Sequence, residues 1–314
     1  MTPPHRICSL LPSATEIVFA LGLGDQLAAV THECDFPPEA VGLPVITRSI
    51  VDHRTHSSRE IHNHISSAVH GGSSIYALDQ DLLERLNPDL ILTQELCDVC
   101  AVSYDVVETA VHRLEGRRTI LSLEPSSLGG ILETLTQVGE AAEAQERAAA
   151  VVRELQQRID RVATGAHTAS GRPRVFAMEW LDPPFTAGHW VPEMIRLAGG
   201  RDELAREGRP SSQISWGRIG DYDPEILVLM PCGFTRARTG EEFARVKLPA
   251  EWRGLDAVRS GHVYAVNGSA YFNRPGPRIV EGLEILAEII HPELFPRTMA
   301  PEAWQRLEVD LVRR

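Results

Sequence analysis

The feature that most limits what this chain can fold into is a repeat: its two halves open with the same strand–turn–helix phrase. Residues 6–24, RICSLLPSATEIVFALGLG, pass from an apolar strand through a proline turn into an amphipathic helix that ends in glycine. Residues 174–200, RVFAMEWLDPPFTAGHWVPEMIRLAGG, follow the same order. Each half then carries a short apolar run behind a proline turn, LNPDLILTQ at 86–94 and YDPEILVLM at 222–230. Such runs read as strands buried on both faces, a property of parallel sheets covered by helices. Strands alternating with helices predict an α/β fold of two Rossmann-like lobes, each with a mostly parallel sheet. Between the halves, AQERAAAVVRELQQRIDRV (144–162) has apolar residues at helical spacing and neither Gly nor Pro. At 1.5 Å per residue this helix would span roughly 30 Å. The expected organisation is an N-terminal α/β lobe over 1–140, one spine helix and linker over 141–170, and a C-terminal α/β lobe over 171–314. A ligand cleft would lie between the lobes.

Parallel sheets meet their ligands at the carboxyl ends of the strands. That rule turns the strand reading into a list of loops: Ser13–Ala14, 31–36, 94–100, 179–190, 231–234 and 267–274. Ser13, with Glu16 three residues later, matches a capping-box start for the first helix. The His-rich stretch (His53, His56, His62, His64, His70) reads instead as a solvated surface segment. His62 and His64 are two apart, so on a helix they would face different ways.

At 314 residues the chain can build two cores, and its 24% charged residues are ordinary for a globular protein. The net charge of −12 is dispersed rather than blocked, which argues against nucleic acid or an anionic membrane as partner. No run of about 18 apolar residues predicts a spanning helix. The apolar run near the start is broken by Pro12, Ser13 and Glu16, so it makes a poor export signal. The expected compartment is the cytoplasm, with a periplasmic or other extracytoplasmic location as the alternative if a signal has been removed.

Five cysteines are an odd number, and a disulfide scaffold is not expected at this length. Cys97 and Cys100 form a Cys-x-x-Cys pair directly after a strand, and Cys34 and Cys232 follow strands in two other loops. Thiolates converging from several loops suit zinc or an iron–sulfur cluster. A redox pair at Cys97 and Cys100 is the competing chemistry, and unconnected small residues the third possibility. Cys8, inside a strand, reads as a small buried apolar residue. His32 and His189 lie on the same rim and could ligate metal. No nucleophile–base–orienter set and no phosphate-cradling glycine loop appears, so the chain is not expected to be an enzyme.

Five stretches together carry a family resemblance: LPSATEIVFALG, the His32–Pro38 loop, LNPDLIL, DPPFTAG at 182–188 and AYFNRPGPRIVEGLEIL at 270–286. They span nearly the whole chain. The chain resembles the helix-linked (class III) substrate-binding proteins that serve ABC importers of cobalamin, haem and ferric siderophores, and the cobalamin-binding members most. The resemblance implies a non-catalytic protein holding a corrinoid between its lobes. Ring-contacting positions would be Phe185, Trp216, Tyr271 and Phe272, with Ser13 and Ala14 lining the first lobe. Glu179, Trp180, His189 and Trp190, from the loop after the fifth expected strand, and His32 complete the candidate set. Arg274, with Arg278, is the feature a siderophore site would use. An ABC permease partner is implied too, docked by one acid per lobe; Asp81 holds the first position and Gly217 the second. Two other readings keep the fold: a cytoplasmic metal- or iron–sulfur-binding protein that uses the cysteines, and a haem or ferric-siderophore binder.

Overall fold

The computed structural model describes residues 6–49, 56–70, 76–94, 109–110 and 118–308. The chain divides into two compact units. The first comprises residues 1–55, 63–125 and 129–155; the second comprises 56–62, 126–128 and 156–314. Both are built on an α/β plan.

In the first unit, β1 (Ile7–Ser9), β2 (Leu27–Ala29), β5 (Leu90–Thr93) and β6 (Thr119–Ser122) form a parallel sheet in the order β2-β1-β5-β6. β1 and β5 are buried at every position, as continuous apolar runs in a covered parallel sheet must be. A separate antiparallel pair joins β3 (Thr47–Ser49) to β4 (Tyr76–Leu78). The helix Pro12–Ala20 follows β1, with Pro12 in its first turn, where the missing N–H costs nothing. Leu11, not Ser13, holds the capping position, and no side chain caps this end. The expected capping box therefore does not form; Ser13 lies inside the first turn and is buried.

In the second unit, β7 (Val175–Trp180), β9 (Ile226–Leu229) and β10 (Val263–Val266) are parallel neighbours. β8 (Phe185–Thr186) and β11 (Trp304–Arg306) close the two edges antiparallel, giving the order β11-β10-β9-β7-β8. One face packs into a core that includes Phe176, Met178, Leu227, Leu229, Trp252 and Val263. The helix Ile279–Ile290 buries ten of its twelve residues.

The long helix expected between the halves runs over Gln145–Ala166, 22 residues or roughly 33 Å. It continues through Gly165, past the 144–162 run read as helical. A Cβ at Gly165 would stand 2.8 Å from the Phe295 ring, so that glycine is a packing site rather than a breaker. Among the described residues no helix is long and apolar enough to cross a membrane.

Candidate solute-binding site

In the first unit the carboxyl ends of the strands converge on a chain of hydroxyls around Cys34. The Ser9 hydroxyl donates to the Leu11 carbonyl at 2.8 Å and accepts from the Thr15 hydroxyl at 2.8 Å. Thr15 has thereby spent its only proton, so its contact with Cys34 Sγ at 3.1 Å is made by the thiol as donor. Thr31 supplies its backbone N–H to the sulfur at 3.3 Å and its hydroxyl at 3.2 Å. Cys34 is buried and works as a hydrogen-bond link in its loop. Cys8, fully buried beneath it, is pushed up to about 12 by burial and, secondarily, by Cys34. Ser13 and Ala14 are buried as well. His32 lies at the surface, its Nδ1 2.8 Å from the Thr47 hydroxyl and its ring 5.6 Å from Tyr76. Partial burial lowers its imidazole from the ordinary value.

The second unit presents the aromatic surface. β8 pairs back on β7 so that Phe185 is the register partner of Trp180, two positions beyond the last parallel pairing of β7, at Met178. Trp180 lies against Phe234, ring centroids 5.4 Å apart, and the Arg238 guanidinium covers Phe234 at 4.6 Å. Just before Trp180, the Glu179 carboxylate accepts the Gly188 N–H at 3.0 Å. Burial pushes this carboxyl up to about 7, against the opposing pull of the Gly188 and Ser211 hydrogen bonds. Gly188 is the residue this turn requires: a Cβ there would stand 2.3 Å from the Ser211 nitrogen and 2.7 Å from the Pro210 carbonyl carbon.

Other expected contacts lie deeper. Trp190 is buried because its indole N–H finds the Phe272 carbonyl at 2.8 Å, and Phe272 itself is fully enclosed. Both belong to the interior, a correction to their reading as ligand surface. His189 stacks on Trp190 at 5.4 Å, and partial burial lowers its imidazole. Trp216 meets Trp252 edge-on at 5.8 Å, attached to the core from the start of the helix Trp216–Tyr222. Tyr271 and Arg274 are part-exposed, and the Arg278 guanidinium stands 5.7 Å from the Tyr271 ring. Cys232 is exposed in the loop after β9. Cys97 and Cys100 lie outside the described residues. Among the described residues no three His, Cys, Asp or Glu side chains are grouped to hold a metal ion.

Sequence reasoning missed one element of this surface. Residues 56–62, taken for solvated surface, belong in space to the second unit. Ser58 begins the helix Ser58–His70 fully buried, with both its N–H and its hydroxyl 2.6 Å from the buried Glu242 carboxylate. Its carbonyl accepts the Trp180 indole N–H at 3.1 Å. Arg59 forks onto Asp182, with Nε at 2.8 Å. Arg238 donates to the His56 carbonyl at 2.7 Å and pairs with Glu242 at 3.1 Å. The His62 ring lies 5.8 Å from Phe185. The only available sequence signal was Ser57 with Glu60 three residues on, whose carboxylate accepts the Ser57 N–H and hydroxyl, both at 2.8 Å.

Two α/β units, each with polar or aromatic side chains on the loops that follow its strands, make up the chain. A periplasmic binding protein model matches residues 7–270, and the chain belongs to that family, as a helix-linked substrate-binding protein of the ABC-importer type. It is 25% identical over 293 residues to the vitamin B12-binding protein of Vibrio cholerae, covering 90% of this chain and 87% of the relative. An ABC transporter substrate-binding lipoprotein of Bacillus subtilis is 25% identical over 299 residues, covering 93% and 82%. Among solved structures, the periplasmic vitamin B12 binding protein of Vibrio cholerae superposes with a TM-score of 0.64 at 24% identity, over 94% of this chain and 99% of the other. A periplasmic heme binding protein of Pseudomonas aeruginosa superposes with a TM-score of 0.68 at 21% identity, over 92% and 94%. At these identities the structures share the fold.

Proposed function

We propose that this protein binds a corrinoid, cobalamin or a close relative, and delivers it to an ABC permease from outside the cytoplasm. It performs no chemistry on its cargo. The observation that carries the reading is the aromatic edge of the second unit: Phe185, within the DPPFTAG element, in register with Trp180, which Phe234 backs. A corrin is a wide, largely apolar disc, and aromatic faces cover such a disc at little cost in side-chain entropy. Support from relatives is broad, since two separately named B12- or cobalamin-binding proteins align over about nine-tenths of the chain. The compartment follows from the same relationship and replaces the cytoplasmic expectation, for one relative is a lipoprotein and the family is periplasmic. Asp81, exposed on the helix Gln80–Leu86, is the acid offered to a permease, whereas Gly217 offers none.

The test is titration calorimetry of the purified protein with cyanocobalamin, with haemin and a ferric siderophore in parallel. The reading expects a saturable 1:1 heat with the cobalamin and weaker or no binding of the other two. Tight haemin binding without cobalamin binding would replace the corrinoid by haem. The zinc or iron–sulfur alternative draws no support from Cys34, whose sulfur is committed to Thr15 and Thr31. Metal analysis of protein purified without oxygen checks the cysteines that lie outside the described residues.

A further inference from the structure

We propose that Glu242 is a positioning residue for cargo binding, one that fixes the Trp180 indole by two routes at once; the inference rests on the corrinoid reading above. Trp180 is part-exposed at the end of β7. The first route ends on its indole N–H. One Glu242 oxygen accepts the Ser58 N–H and hydroxyl, each at 2.6 Å, and the Ser58 carbonyl accepts from Trp180 Nε1 at 3.1 Å. The second route ends on the ring. The other Glu242 oxygen accepts from Arg238 at 3.1 Å; that guanidinium covers Phe234 at 4.6 Å, and Phe234 lies 5.4 Å from the Trp180 ring. Arg238 also donates to the His56 carbonyl at 2.7 Å, which ties the two routes to each other.

What these routes hold separates positioning from ordinary packing. Ser58, Phe234 and Glu242 are all buried, whereas the indole they fasten stays partly open to solvent. A part-exposed indole can leave its N–H to water and its ring to several rotamers without opening the core. A buried carboxylate, by contrast, is costly unless donors surround it. Here the donors that satisfy Glu242 belong to the two residues that lead to Trp180, one through its carbonyl and one through Phe234. A binding face confined before its ligand arrives loses less side-chain freedom on binding, which is how preorganisation raises affinity. Phe185, the register partner of Trp180, carries the other half of that face.

The experiment uses the full chain, two variants at position 242, and Trp180→Phe, which keeps an aromatic ring but has no N–H. Glu242→Gln keeps the length and removes the charge. Glu242→Asp keeps the charge beside Arg238, and with it the buried pair, but falls one methylene short of Ser58. Without cargo, the indole N–H signals are followed by NMR, with Trp180→Phe identifying the signal of Trp180. Both variants at 242 should shift or broaden that signal and leave the Trp190 signal, held by the Phe272 carbonyl, in place. Calorimetry with cyanocobalamin should show binding about 2- to 12-fold weaker, the worth of one ordinary hydrogen bond. In the Trp180→Phe background the same changes at 242 should weaken binding no further. A Trp180 signal that stays in place in the folded variants, a loss of affinity below about twofold, or an equal loss in the Trp180→Phe background would each overturn the assignment. Wild-type protein that binds no cobalamin would instead refute the corrinoid reading, and the role of Glu242 toward that cargo with it.

Discussion

Replacing Ser58 by alanine tests whether residues 56–62 are held on the second unit as the structure indicates. The serine hydroxyl donates at 2.6 Å to a Glu242 carboxylate that is 1% exposed, and it shares that oxygen with the Ser58 N–H. Arg238, at 3.1 Å, serves the other oxygen. The substitution therefore takes one of three donors from a buried carboxylate. A hydrogen bond to a buried charge contributes about 1.5–3 kcal/mol. The loss is local, because the Arg238–Glu242 pair and the core beneath are untouched, so melting temperature is the wrong observable. Native-state hydrogen exchange is the right one. At about 1.4 kcal/mol per factor of ten, amides opening with this segment, such as Ile61 N–H on the Ser57 carbonyl, should exchange ~10- to 140-fold faster. Amides of β7 and β9 should keep their wild-type rates. An Ile61 rate within about twofold of wild type would show that Glu242 does not hold the segment, and the placement of His62 would lose its anchor.

Three other outcomes follow from the same geometry. Glu179, raised from 4.5 to about 7 by burial, is neutral when folded over a range where the unfolded chain is ionised. Its contribution is fully present below pH 4.5 and is lost as pH rises through 7, a difference of about 2–3 kcal/mol. Glu179→Gln should thus match wild type in thermal unfolding at pH 4.5 and exceed it at pH 8; equal stabilities at both pH values would contradict the raised carboxyl. Gly188→Ala drives a Cβ into backbone at 2.3 Å from Ser211 N, so denaturant unfolding should show a loss of about 1–3 kcal/mol, and a neutral result would mean that the 209–211 turn yields freely. Alkylation of native protein followed by peptide mapping should label Cys232 within minutes and spare Cys8 and Cys34; prompt labelling of Cys34 would refute its closed hydroxyl chain.

Strands with both faces covered were legible because burial on both sides writes an unbroken apolar run. β1, β5 and β9 lie within the apolar runs read as strands at 6–24, 86–94 and 222–230. The edge strands were not legible. β8 is two residues long and β11 three, too short to show a period, and both owe their conformation to the neighbour they pair with. The helix also outran the 144–162 run: glycine breaks helices on average, but the missing Cβ of Gly165 admits Phe295. The aromatic candidates divided in the same way. Phe185 was proposed from its motif and pairs with Trp180, whereas the enclosure of Trp190 and Phe272 depends on a carbonyl 82 positions away from the indole that reaches it.

The segment 56–62 is the clearest case of what a sequence alone withholds. HSSREIH is polar, carries two histidines and has a single apolar residue, and by composition it belongs in water. What buries Ser58 is a carboxylate 184 positions later, and what orders Arg59 is another 123 positions later. Glu242 was equally unreadable from its own side: in RARTGEEFAR it looks like one more acid on a charged helix, yet it is buried with Arg238 as its intrahelical partner. Two polar stretches that each seem to face solvent hide one another, because only together do they satisfy the buried charge. A binding surface assembled this way cannot be listed by scanning loops after strands. It has to be sought wherever one buried charge in a polar helix lacks, within its own neighbourhood in sequence, enough donors to be there.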